Sequence, residues 1–293
     1  ACPHGSSPAV KMASSVAPMV PHKPGTWRLL YFNAPNRGEQ VRMLFVASNT
    51  PFVDVRVAPF PSGLDPYKKA ALGDASPLCG TDQCPAVTAP DGSHCVETSD
   101  IMRFVGQRVG LAPKDTTADA KAMEVTLLMQ DLMNKVFYGL LRPMCVNEIL
   151  GCVAPLLNGY ESSYLPGPAE KLTEGLQALE AVLETSGGPF VCGSQMSYAD
   201  VSVFAILNEI LDYKCFDKAE LLAPRPKLAA LLNDLGSRLS PWIAYRVREH
   251  QLGFARSVDF FASTNTPFVC CRKSARAVTE AVEVDPSQLT QAS

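Results

Sequence analysis

The sequence predicts an α/β N-terminal domain followed by an all-α C-terminal domain, and two observations predict it. Up to about residue 112, short apolar or alternating runs are interleaved with helical periods, whereas from Asp119 to His250 the helical period runs on without strand signals. A chain of 293 residues with 47% hydrophobic and 19% charged content is also long enough to bury two cores.

Ordered structure is expected from Trp27, where Arg28 to Phe32 form an apolar strand between Pro24-Gly25 and Asn33-Ala-Pro-Asn36. Arg37 to Ser48 follow as a helix, with Val41, Leu44 and Phe45 on its apolar side. Phe52 to Val57 alternate Phe, Val, Asp, Val, Arg, Val and predict a second strand. Ala58 to Asp82 are rich in Pro and Gly and read as a long irregular connection, helical only around 66-72. Pro85 to Ala89 and Ser93 to Val96 flank the turn Pro90-Asp-Gly92 as a hairpin, and a helix from Glu97 to Val109 completes the unit. Strand-helix-strand, a loop, then strand-strand-helix fits a four-stranded mixed sheet of thioredoxin-like plan.

Beyond the Pro113 to Ala118 linker, helices are expected at 118-141, 146-163, 168-186, 198-213, 226-237 and 240-249, punctuated by Pro and Gly. The expected division is a 1-25 N-terminal extension, a 26-112 thioredoxin-like domain, a 116-252 helical domain and a 253-293 C-terminal extension. Cys270-Cys271 in that last segment, beside Arg272 and Lys273, have no assigned role.

A net charge of -3 and a pI near 5.9, with no Lys/Arg-rich run, argue against a nucleic-acid partner. Every apolar run is broken too early for a transmembrane segment. Ten cysteines without repeated spacing, in a chain too large to need staples, point to the cytoplasm or another reducing compartment. The first 38 residues carry no acidic side chain, which fits a remnant of organellar targeting or a disordered extension equally well. The four histidines are isolated and no cysteine pair has zinc spacing, so no metal is expected.

Four local patterns carry the chemistry. The run Leu30-Tyr-Phe-Asn-Ala-Pro-Asn-Arg-Gly-Glu-Gln-Val-Arg42 resembles the opening of sigma-class and related Tyr-type glutathione S-transferases. Gln83-Cys84-Pro85-Ala-Val is similar to that family's segment containing a cis proline, with Cys84 in place of an aliphatic residue. Glu97-Thr98-Ser-Asp-Ile101 before Arg103-Phe104 resembles the family's strand-to-helix junction, and Met196-Ser197-Tyr-Ala-Asp200-Val201 resembles its C-terminal capping box and hydrophobic staple. The resemblance spans Thr26 to His250.

It implies a glutathione transferase, with glutathione as co-substrate and a small apolar electrophile held between the domains. Tyr31 would be the catalytic hydroxyl that stabilises the glutathione thiolate, and Arg37 would add positive potential at the helix start. Gln83, Cys84 and Pro85 would belong to the glutathione-binding residues, Cys84 offering its backbone N–H and C=O to the cysteinyl part. Glu97 and Thr98 would hold the γ-glutamyl end. Lys69 falls near the position for the glycyl carboxylate, next to Lys68. Asp131 falls where an acid reaches glutathione across a homodimer interface, while Met133, Phe137 and Tyr138 would line the electrophile pocket.

The same residues have plainer readings: Tyr31 as a packed strand-end aromatic, Arg37 as the partner of Glu39 or of a neighbouring loop, Thr98 as an N-cap, Asp131 as an exposed helix acid. Cys84 is either a small buried hydrophobe or, if its thiol faces glutathione, a partner for a mixed disulfide. The rival function is a catalytically weak glutathione transferase-like scaffold subunit of a larger assembly, suggested by the long 58-82 connection and the two extensions. A disulfide reductase is poorer, since no Cys-x-x-Cys follows the first strand.

Overall fold

The computed structural model describes residues 19–32, 35–57, 63–136, 166–211, 217–248 and 280–292. The first half contains β1 (Trp27–Phe32), α1 (Arg37–Ala47), β2 (Phe52–Val57), α2 (Lys69–Leu72), β3 (Ala86–Thr88), β4 (His94–Val96) and α3 (Thr98–Val109). The helical half contains α4 (Thr116–Leu132), α5 (Pro166–Thr185), α6 (Tyr198–Leu211), α7 (Lys218–Leu222), α8 (Pro226–Arg238) and α9 (Ser240–Arg248). The helix expected at 146-163 and the end of the one expected at 118-141 lie outside the described residues. The short α7 has no counterpart in the sequence reading.

Among the described residues the sheet has five strands, not the expected four, because a fifth strand, β5 (Glu280–Val284), completes the order β4-β3-β1-β2-β5. Strand β5 (Glu280–Val284) lies in the segment read as a C-terminal extension, and it pairs antiparallel with β2, Asp54 opposite Val282. Its exposed Glu280, Ala281 and Glu283 give it a polar look, and only Val284 is fully buried. β1 pairs parallel with β2 and antiparallel with β3.

One face of the sheet continues into the helical half. Leu29 and Tyr31 of β1 and Val41, Leu44 and Phe45 of α1 share a core with Ile101 and Val105 of α3, Met129 of α4 and Val203 and Ile206 of α6. The other face, with Leu30, Val55, Val57 and Ala86, is covered by Leu64, Tyr67 and Leu78. The connection read as irregular therefore supplies core. Tyr67 Oη also accepts from the Val20 amide at 2.9 Å, which ties the segment before β1 onto the same face.

Two close approaches fix α3 and α1 against the helices. A Cβ on Gly106 would lie 2.9 Å from Tyr198 Cδ1, while the Tyr198 hydroxyl donates to Asp119 Oδ1 at 2.9 Å. Gln40 Oε1 of α1 accepts from Gln130 of α4 and Ser202 of α6, both at 2.8 Å. Asp200 caps α6, its Oδ2 accepting from the Ser197 amide and hydroxyl and its Oδ1 from the Val191 amide.

Candidate functional site

The register places the end of β1, the start of β3 and the end of β4 at one edge, because Leu30 lies opposite Ala86 and Ala86 opposite Val96. Helices α1 and α3 begin just beyond that edge. Their N-termini and the segment before β3 consequently enclose a small polar cavity. Six residues singled out in the sequence line it together: Arg37, Gln83, Cys84, Pro85, Glu97 and Thr98. The Cys84-Pro85 bond is cis.

Glu97 turns the chain from β4 into α3 with φ 65°, and no side chain caps the helix. Thr98 is the first helical residue instead of the N-cap, and it is buried, whereas Glu97 is exposed. A carboxylate at the rim beside uncapped first-turn amides offers a cation site next to an anion site.

Burial pushes the Cys84 thiol up to about 12, with the Phe32 backbone and the Arg42 and Arg37 guanidiniums pulling the other way. It therefore stays protonated near neutrality, and disulfide exchange needs the thiolate. This argues for Cys84 as a small packed residue.

The other sequence candidates sit elsewhere. Tyr31, near the end of β1 at the same sheet edge, is 6% exposed and does not line the cavity. Its ring packs under the first turn of α1, where a Cβ on Gly38 would come within 2.2 Å of Tyr31 Cδ1, so only glycine allows the helix to start there. Lys69 points its ammonium 3.7 Å from Asp74, and Lys68 pairs with Asp65 at 2.8 Å. Asp131 pairs with Lys135 at 2.7 Å on a half-exposed face of α4. Neither Lys69 nor Asp131 lines the cavity. Met133 is fully buried in the shared core, and Phe137 and Tyr138 lie outside the described residues.

Arg37 does not pair with Glu39. Its Nη2 donates to Asn134 Oδ1 at 2.8 Å, reaching the end of α4. Glu39 instead belongs to a buried charge cluster that the sequence reading missed. Its Oε2 lies 3.1 Å from Arg42 Nη1 and 3.0 Å from Arg246 Nη2, and its Oε1 accepts from Trp242 Nε1 at 2.7 Å. Asp54 Oδ2 binds Arg42 Nε at 2.9 Å and Arg56 Nε at 2.8 Å. Burial alone would raise the Asp54 carboxyl, but the Arg42 and Arg56 guanidiniums hold it below the usual carboxylate range. Glu280 of β5 reaches Arg56 at 3.4 Å from the rim. The available signal was the alternation of β2, which puts Phe52, Asp54 and Arg56 on one face; what was missing was that α1 and α9 cover it.

A second cavity, of about 520 Å³, lies among α6, α7, α8 and α9 and shares no lining residue with the first. Among the described residues no three His, Cys, Asp or Glu side chains converge as metal ligands, and no helix is long and apolar enough to cross a membrane.

The family profile for "Glutathione S-transferase, C-terminal domain" matches residues 168–245. Over 204 residues the chain is 30% identical to glutathione S-transferase alpha M14 of Sus scrofa, covering 69% of this chain and 80% of that protein. It is 26% identical over 219 residues to glutathione S-transferase P 10 of Caenorhabditis elegans, covering 70% of this chain and 90% of that one. A solved glutathione S-transferase structure from Caenorhabditis elegans superposes with a TM-score of 0.56 at 24% identity, covering 75% of this chain and 98% of the other.

Proposed function

The chain belongs to the glutathione S-transferase family, and from that premise we propose that it transfers glutathione to an electrophile through a thiolate stabilised beside Tyr31. The observation that carries this reading is the convergence of Arg37, Gln83, Cys84, Pro85, Glu97 and Thr98 on one cavity at two helix N-termini. Glu97 would pair with the γ-glutamyl ammonium, while Thr98 and the uncapped amides of α3 receive its carboxylate. The peptide bond at Cys84 would hold the cysteinyl backbone as an added strand does.

That placement brings the glutathione sulfur toward the start of α1. A free thiol of pKa about 8.5 is only a few per cent ionised at pH 7. One charge-assisted hydrogen bond from the Tyr31 hydroxyl contributes roughly 1.5–3 kcal/mol, which lowers the thiol pKa by about one to two units. Arg37 and the α1 N-terminus add positive potential. The thiolate then attacks an electrophilic carbon, forming the C–S bond as that carbon's leaving group departs with its electron pair. Attack on a peroxide oxygen instead breaks the O–O bond, giving glutathione sulfenic acid and an alkoxide that takes up a proton. Assignment to the sigma class rests on the run from Leu30 to Arg42 alone, since the relatives reported above carry alpha and P designations. Homodimerisation, with Asp131 reaching a partner's glutathione, belongs to the same reading, as does residence in the cytoplasm or another reducing compartment.

A second reading, a catalytically weak scaffold subunit, draws on the burial of Tyr31 outside the cavity lining. Calorimetry with glutathione, followed by ultraviolet absorbance of the bound thiolate between about pH 5 and 9, separates the two. The enzyme reading expects binding with a lowered thiol pKa, and in Tyr31→Phe retained binding with at least a tenfold loss of turnover, the equivalent of about 1.4 kcal/mol. An unshifted thiol, or a Tyr31→Phe protein that turns over as well as wild type, would favour the scaffold.

A further inference from the structure

We propose that Glu209, on α6 of the helical half, is a positioning residue for the glutathione cavity, acting through the backbone amide of Asn36. The inference rests on the glutathione reading above and adds a residue that none of the four sequence patterns contains.

Asn36 is the last residue before α1, so its neighbour Arg37 lines the cavity and Gly38, two residues on, lies against the Tyr31 ring. Its backbone is at φ 63°, ψ -136°, a conformation that favours glycine and strains a residue with a side chain. Such a conformation persists only where neighbours impose it. No side chain caps α1 locally. The Asn36 amide donates instead to Glu209 Oε2 at 3.0 Å, across 173 positions of sequence and from the other half of the molecule. The Asn36 carbonyl then accepts from the Glu39 amide at 3.1 Å, closing the first turn. Asn36 is 3% exposed, so with Glu209 in place its amide is shielded from bulk water.

Glu209 stands apart from the charge cluster although it lies beside it. Glu39 of α1 and Arg246 of α9 face it electrostatically, with Arg42 and Asp54 behind them, yet its Oε1 is out of solvent without a hydrogen-bond partner. A half-buried acid with one solvent-shielded, unpaired oxygen is an unfavourable way to fill space. An apolar residue would pack there at lower cost, but it would leave the Asn36 amide unpaired and the turn into Arg37 unheld. Glu209 thus couples the packing of α6 to the place where glutathione would meet α1.

The test compares wild type with Glu209→Gln, which keeps an acceptor oxygen at the same reach, and with Glu209→Ala and Glu209→Asp, which remove or shorten it. Glutathione affinity is measured by calorimetry, kcat and KM with a nitroaryl halide as electrophile, and amide hydrogen exchange over 33–38 by mass spectrometry. The expected result is about a tenfold weaker affinity and faster Asn36 exchange in Glu209→Ala and Glu209→Asp, carried by KM for glutathione and not by kcat, with Glu209→Gln within about twofold of wild type. Unchanged affinity and exchange in Glu209→Asp, or a Glu209→Gln protein as impaired as Glu209→Ala, would overturn the proposal. If wild type binds no glutathione, the functional reading fails; the exchange comparison still tests the contact, and unchanged Asn36 exchange in Glu209→Asp would overturn it as well.

Discussion

The cavity at the start of α1 and the charge cluster beneath the middle of that helix are both polar, but water reaches only the first. Glu97 is exposed at the cavity rim, whereas Arg42, Asp54 and Arg246 are fully buried. Two buried carboxylates, Glu39 and Asp54, face three guanidiniums, those of Arg42, Arg56 and Arg246, with Glu280 as a third carboxylate at the edge. In the cluster the protein's own groups satisfy one another, joining α1, β2, α9 and β5. In the cavity, groups at two helix starts converge without that mutual pairing. A burial pattern therefore separates charges that satisfy one another inside the fold from charges at a water-accessible rim, even one turn apart on a single helix.

That contrast can be broken by removing one member at a time. Asp54→Ala leaves two buried guanidiniums without their shared carboxylate and is expected to cost about 3–5 kcal/mol, read as a lowered urea midpoint. The second test concerns pH. Burial raises the Glu209 carboxyl from 4.5 to about 8, so between those values the folded protein holds a proton that the unfolded chain has released. This group's contribution to stability is fullest below pH 4.5 and falls as pH rises toward 8, with a slope that one proton caps at about 1.4 kcal/mol per pH unit. Glu209→Gln should flatten that part of the stability profile; an identical slope in both proteins would contradict the assignment. The smallest effect on stability is expected from Glu97→Gln, within about 0.5 kcal/mol of wild type, while glutathione binding weakens at least tenfold. Equal losses of stability in Glu97→Gln and Asp54→Ala would erase the distinction.

The cavity was legible because its residues sit in short segments at element ends, where a turn, a proline or a helix start leaves a local mark: Arg37 after β1, Cys84-Pro85 before β3, Glu97-Thr98 after β4. The cluster was not, because the burial of Asp54 and Arg56 is imposed by α1 and by an α9 that lies almost two hundred residues further along. Tyr31 shows the intermediate case. Its strand end was readable, but its cover by Gly38 depends on how closely α1 returns over β1, a distance that no spacing encodes. The same limit applies to β5, whose alternating Glu-Ala-Val-Glu-Val looks like a polar tail until β2 stands beside it.

The pairing of β5 with β2 also sets an order of assembly. Arg56 and Glu280 are 224 positions apart, so at ribosomal rates of about 5–20 residues per second β2 waits roughly 11–45 seconds for its neighbour. Through that interval the nascent chain carries an open sheet edge of the kind that recruits other strands, while the whole helical half is being made. The half that carries β1 and β2 is thus completed only after the helical half has been made.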